Sequence, residues 1–554
     1  MKKYLLSIAL LTAACAEAGC SHIAVRPTRT SNGAQLFPKM GTHRRTITTT
    51  SPEAQKFFDQ GLVWNYAFNH DEAFRSFERA TQIDPGCAMA WWGIALCRGP
   101  QYNDPKVTKE QNAICFRALQ KALANIDSTT ATERALIEAM ATRYEETWSE
   151  NRDDLNGRYA EAMGHVWKKF PGDSDVGTLY AEAMMIKHPW DLYTSDKEPR
   201  EETPTIVAVL DRVMEMAPNN PGANHYYIHA VEASKRPENA LPAADRLSGL
   251  VPGSGHLLHM PTHIYAMTGH WDTAIRQNTL AVRADAKYRK RAAGLGIQHR
   301  YMAHDAHMLA FSAMMVGRER EALAAAQSMW DNLPESLSPL VVKSIDPWMS
   351  AKYDVLKRFG RWEEILKQPS PPPHLLITTA TWRASRAVAY AALKDFANAD
   401  REFKAFRRAK SRVPEDAKWK RDLAHASLNV AESFIAGEIA LHRGNMALAI
   451  ENLTRSAELE DSLSYSQPPR WMLPVRHTLG AVYLIEGRYA DAERVYREDL
   501  AKWKNNGWSL YGLMRSLEGQ GKAAEALKGR QQFELWWKDA DESTMTSCKC
   551  IPKT

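Results

Sequence analysis

The chain has 554 residues, with 71 basic and 65 acidic side chains, a net charge of +6, 44% hydrophobic and 25% charged residues. That length excludes one compact core of ordinary size, and the composition excludes a wholly disordered chain. The slight basic excess excludes a nucleic-acid surface, because its densest run, Lys287 to Arg291, reads as a solvated helix face.

Lys2 and Lys3 precede an apolar run from Leu5 to Ala14, and small residues follow. This is the form of a secretory signal peptide, too short to cross a bilayer as a stable helix. Thr12-Ala13-Ala14-Cys15 resembles a lipoprotein box, so Cys15 is the expected acylation site. Cys20 is the alternative, and plain cleavage after Ala18 is a third outcome. Residues 1–20 are read as leader and the polar residues 21–48 as a flexible tether. The expected location is the periplasm or the outer membrane, with the lipid anchor as the only membrane attachment.

From residue 49 the sequence repeats itself. After Gly61 come Ala73, Phe77, Ala80 and Pro85, with Asn69 to Glu72 between two helical stretches. This spacing resembles the tetratricopeptide repeat of about 34 residues. Small residues let antiparallel helices touch, Phe77 fills the groove to the next unit, and proline ends the second helix. The template returns at Gly269, Gly317, Gly360, Asp395, Gly444, Gly487 and Gly521. The fold class expected is all-α, a right-handed α-solenoid of TPR-like helix pairs. Two irregular stretches, residues 188–205 and the Pro-rich run at 369–373, divide it. The parts are an N-terminal solenoid (49–187), a loop (188–205), a middle segment (206–368), C-terminal repeats (369–540) and a tail (541–554). Cys87, Cys97 and Cys115 are expected to pack as small apolar residues. The tail pair Cys548 and Cys550 is read three ways: soft-metal ligands, a disulfide, or an unremarkable tail.

Nine of the 18 histidines lie between His225 and His307. His225 and His229 share a helix face, with Glu232 continuing it; His256, His259 and His263 follow, then His304 and His307. Imidazoles three or four apart on a helix can converge on one ion, and zinc, copper and iron all accept such ligands. The competing reading is a hydrogen-bonded structural core. Pro261 is expected to start a helix, leaving His256 and His259 in the approach to it. Glu232 is a candidate ligand, orienting partner or general base, and Tyr226 and Asp305 are further catalytic candidates. His270 and His299 read as bystanders, and Met260, Met302 and Met308 as core.

Residues 61–100, 180–190, 221–234, 255–271 and 304–318 together resemble a bacterial family of tetratricopeptide-repeat proteins without an established reaction. The resemblance spans roughly residues 50 to 330. It implies helical repeats and histidine-bearing helices, draws attention to Glu182, Trp190 and Tyr193, and supplies no substrate. Phosphate loops and nucleophile elbows are absent. Two functions compete. One is a scaffold binding a protein or peptide on the concave face of the solenoid, which Trp91, Trp92 and Tyr102 could serve, although they read first as core packing. The other is a metal-dependent enzyme, a hydrolase or oxidoreductase, with its active site in the middle of the solenoid.

Overall fold

The computed structural model describes residues 34–333, 339–419, 421–541 and 546–549, with backbone alone at 339–341. The leader, including Cys15 and Cys20, lies outside these residues, as does Cys550. Among the described residues helices dominate, and the strands are one two-residue antiparallel pair, Lys418–Trp419 with Asp422–Leu423. No described helix is long and apolar enough to cross a membrane.

The chain is an α-solenoid of antiparallel helix pairs. Its first repeat joins Pro52–Tyr66 to His70–Ile83, capped by Ser51 and Asn69 side chains that accept the Ala54 and Glu72 amides. Such caps satisfy backbone donors that a helix start leaves orphaned. A Cβ added to Gly61 or Gly93 would meet the Phe77 ring at 2.7 or 2.5 Å, so one aromatic ring is clasped between two glycine-bearing helices. Near the other end, Gly480 and Gly512 clasp Tyr496 in the same way, at 2.4 and 2.1 Å. The template read from spacing is thus a packing device used at both ends.

At the turns between paired helices, Gly269, Gly317, Gly360, Gly444, Gly487 and Gly521 all take φ between +65° and +78°. Left-handed backbone costs a side-chain-bearing residue energy that glycine escapes. Lys394 replaces glycine at one turn with φ of 63°, and Phe68 does so at the first, with φ of 54°.

Residues 188–202 contain no helix and form a loop closed by a Tyr193–Pro199 bridge. Residues 34–48 do not dangle as a tether. They lie against the repeats: Arg45 pairs with Asp173, His43 with Asp175, and Thr48 with Glu133. The tether reading treated polarity as freedom, whereas here the polar groups find carboxylates, of which Glu133 and Asp175 are buried.

The apolar core falls into two large clusters, one running from Ile47 to Met302, the other from Ala266 to Trp537. Helices Pro261–Met267 and Gln298–Met315 contribute to both. The rear repeats pack back across the middle ones. Trp271 donates to the Lys504 carbonyl, Trp508 donates to the Met314 carbonyl, and Arg421 pairs with Asp191. Cys87, Cys97 and Cys115 are buried free thiols, and Cys548 is disulfide-bonded.

Candidate metal centre

Three stretches carry the histidines. Asn220 caps the helix Pro221–Val231, every residue of which is buried, and so aims His225 and His229 inward. Ser254 caps a short helix, Gly255–His259, and Pro261 then opens the helix Pro261–Met267. His256 and His259 therefore sit on a helix of their own. Met260, with right-handed helical backbone, joins the two pieces so that His263 follows nearly in register. Gly255 is needed there, since a Cβ would strike the Asp285 carboxylate at 1.9 Å. His304 and His307 come from Gln298–Met315.

Six of these seven imidazoles form a contiguous array. Ring centroids are 4.9 Å apart for His225–His229 and for His225–His256, 6.1 Å for His256–His259, and 4.8 Å from His259 to both His263 and His304. Within it, His225, His229 and His256 make one set, and His259, His263 and His304 another. In each set the three nearest donor atoms lie within 4.8 Å of one another. His304 is half-buried and the others are buried. His307 belongs to neither set. It bonds Met472 Sδ at 2.9 Å and packs on Trp348, which corrects its place among the expected ligands.

The hydrogen bonds determine which nitrogens face inward. His225 Nδ1 donates to the Tyr66 carbonyl at 2.6 Å, and His229 Nδ1 bonds Glu232 Oε1 at 2.7 Å. His259 Nδ1 bonds Asn278 Oδ1 and His263 Nδ1 bonds Gln467 Oε1, both at 2.9 Å. An imidazole that spends its one N–H on an oxygen keeps a lone pair on the other nitrogen. Yet His259 Nε2 and His263 Nε2 face each other at 3.0 Å. Two lone pairs at that distance repel unless a proton or a cation lies between them. A tetrahedral ion with nitrogens at 2.0–2.1 Å would hold two of them about 3.3 Å apart. His225 Nε2 and both nitrogens of His256 have no hydrogen-bond partner among the described residues. Burial first, then neighbouring imidazoles, holds His225 and His256 well below the ordinary histidine pKa, in the neutral form that ligates metals.

Around the array stand groups that orient it. Glu232 uses both oxygens: Oε1 on His229, Oε2 accepting from the Tyr465 hydroxyl at 2.8 Å, with His263 Nδ1 at 3.4 Å. Of the three roles open to Glu232, this geometry is that of an orienting partner spanning both sets. Asp305 lies 3.4 Å from His259 Nδ1 and shares a buried carboxyl pair with Asp285. Tyr226 turns its hydroxyl toward Glu182, Tyr159 and Arg143, so it is displaced from the catalytic candidates. Glu182 is buried beside it, its carboxyl pushed up to about 7 by desolvation.

Phe68 closes one side, its ring 4.5 Å from His225, 5.6 Å from His256 and 5.7 Å from His229. Tyr102 and Trp190 close another, each 5.3 Å from His229, and Trp190 also has a left-handed backbone, φ 60°. Two large aromatics thus hold costly backbone conformations against one imidazole, a pattern found where surrounding structure enforces a site. Sequence reasoning missed Tyr465, Gln467 and Met472. All three lie in the helix-free stretch between Met446–Asp461 and Val475–Ile485, which carries Pro468, Pro469 and Pro474. Three prolines in one connection between helices were the available signal.

No protein-family model matches the chain, and no curated protein resembles it. Solved structures match the chain at low similarity. Human IFIT1, a dimer with m7Gppp-AAAA, is 11% identical over 89% of this chain and 92% of its own, with a TM-score of 0.30. Cut9 in the APC/C hetero-tetramer Cut9-Hcn1 is 13% identical over 88% and 76%, TM-score 0.29. The P58(IPK) TPR domain is 10% identical over 86% and 99%, TM-score 0.22. At these TM-scores they carry no argument, and the assignment of an all-α repeat solenoid rests on the chain's own helix pairs and turns.

Proposed function

We propose that this chain is an exported repeat scaffold that holds two transition-metal ions, zinc, copper or iron, in the histidine array of its middle third. The observation that carries the reading is the 3.0 Å approach of His259 Nε2 to His263 Nε2 while each Nδ1 faces an oxygen acceptor. The anchoring of Nδ1 by a carbonyl, a carboxylate or an amide is also what metal-bound imidazoles require of their surroundings.

The test is elemental analysis of tag-free protein, followed by thermal melts with added zinc or copper. About two ions per chain are expected, falling to about one in the His259→Ala/His263→Ala double variant. Protein that carries no ion and whose Tm does not move with either metal overturns the proposal. A protein or peptide partner of the scaffold docks outside the array, because residues 465–472 of the chain already cover it. Export with acylation at Cys15 completes the reading, and loss of palmitate labelling in Cys15→Ala, with retention in Cys20→Ala, checks it.

A further inference from the structure

The two histidine sets differ in what they adjoin. Beside the first is a cavity of about 850 Å³, lined by His229 and Glu232 at one end. This volume lies within the range of small-molecule sites. Of the six array histidines, His229 is the one on its wall; His259, His263 and His304 line neither this cavity nor the smaller one beside Asp285. Its sides are aromatic, with Tyr102, Trp190 and Tyr465 around the histidine end and Trp503 further out. Lys197 and Lys502 also line it. Lys197 is held below its ordinary pKa by burial, then by Lys502 and Lys504, so its neighbours are cations. The wall's arginines are committed elsewhere: Arg421 and Arg200 to Asp191, Arg476 to Asp461 and Glu498. Lys502 lies 3.9 Å from Asp461, so Lys197, which has no carboxylate partner among the described residues, is the cation left to this aromatic-walled space that ends on an imidazole.

We infer that the ion held by His225, His229 and His256 takes an exogenous ligand from this cavity, a planar aromatic molecule carrying an anionic oxygen, while the ion held by His259, His263 and His304 takes none. This rests on the two-ion reading above and adds to it an asymmetry. Three protein nitrogens leave a coordination position open in the first set, as catalytic ions require. The aromatic walls stack the ring, and Lys197 and the ion attract the oxygen.

The full mature protein, loaded with two equivalents of copper(II), is titrated with azide and then with benzoate or benzamide. The expected result is an azide charge-transfer band that saturates at one azide per two ions. Benzoate displaces the azide at least tenfold more effectively than benzamide. Trp190→Ala weakens benzoate at least tenfold and azide less than threefold, and Lys197→Ala/Lys502→Ala removes the preference for benzoate over benzamide. Azide binding to both ions or to neither, or equal competition by benzamide, overturns the inference while the two-ion reading stands. Protein that retains no copper, and carries no zinc or iron by elemental analysis, overturns the two-ion reading itself.

Discussion

Two regions of this molecule bury histidine, and they do it by opposite rules. In the rear repeats, Arg358 Nη2 donates to His477 Nδ1 at 2.9 Å, and His477 Nε2 donates to Asp499 Oδ2 at 2.9 Å. Asp499 Oδ2 also accepts from Asn506 and Ser509. Both ring nitrogens there meet a partner, and the chain of bonds ends on charges of opposite sign. In the middle repeats the oxygen acceptors claim the Nδ1 atoms, and nitrogens accumulate at the centre. The difference teaches how to tell a structural histidine from a ligand. The first is matched on both nitrogens by groups of opposite role, whereas in the middle array His225 Nε2 and both nitrogens of His256 have no hydrogen-bond partner among the described residues.

The largest effect should come from breaking the matched site. His477→Ala removes the group between a buried guanidinium and a buried carboxylate, and a broken buried pair typically costs about 3–5 kcal/mol. A large fall in Tm with unchanged metal content is expected. If metal content falls with it, the two sites are not separate in kind and the comparison breaks.

Next comes removal of the ion from the unmatched site. A ligand present at a hundredfold over its Kd stabilises the folded state by about 2.7 kcal/mol. Chelation should therefore lower the Tm of the native chain and leave the His225→Ala/His259→Ala variant unmoved. Equal Tm values for native protein with and without chelator would place the middle array among structural cores.

A third site sharpens the rule from the side of charge. Asp175 is buried with His43, Arg45 and Tyr66; burial alone would raise its carboxyl, and these three partners together hold it down to about 2. A depressed carboxyl contributes stability above its unfolded value near 3.8, and that stability is lost as pH falls from there toward 2. The shift corresponds to roughly 2 kcal/mol. The acid limb of a pH–stability curve should thus steepen between about 4 and 2, and Asp175→Asn should flatten it. An unaltered limb would show that residues 34–48 are not fastened by this carboxylate.

These contrasts were only partly legible in the sequence. The repeats were, because glycine at a left-handed turn and glycine beneath an aromatic ring leave fixed spacings, as at Gly61, Gly480 and Gly487. The i, i+4 pair His225 and His229 was legible for the same reason of period. His256 and His259 were harder, since Pro261 hides the short helix before it. The fate of His307 was beyond spacing altogether, because its partner Met472 lies in another repeat. So too for Glu232, whose role is decided by Tyr465, a residue that only the folding back of the rear repeats delivers. Phe68 was legible only as a missing glycine: the first turn lacks the residue that the later turns use, and the structure shows that the ring is what the exchange provides.

Glu232→Gln is the smallest change proposed and the most discriminating. The variant keeps the side chain's length and leaves one oxygen to accept from His229. It puts an NH2 group where Oε2 now receives the Tyr465 hydroxyl and faces His263 Nδ1. Donors then oppose donors, and the two imidazoles lose the group that fixes their orientation. Loss of such a partner typically costs 10- to 100-fold in metal affinity, so the expected result is weaker binding with little change in apo-protein Tm. Tyr465→Phe removes one of the opposed donors. Alone it should weaken binding less than Glu232→Gln, and in the double variant it should restore part of the loss, because residues sharing one hydrogen-bond network do not contribute additively. Strictly additive losses would mean that Tyr465 and Glu232 act separately, and that the rear segment covers the array without helping to hold it.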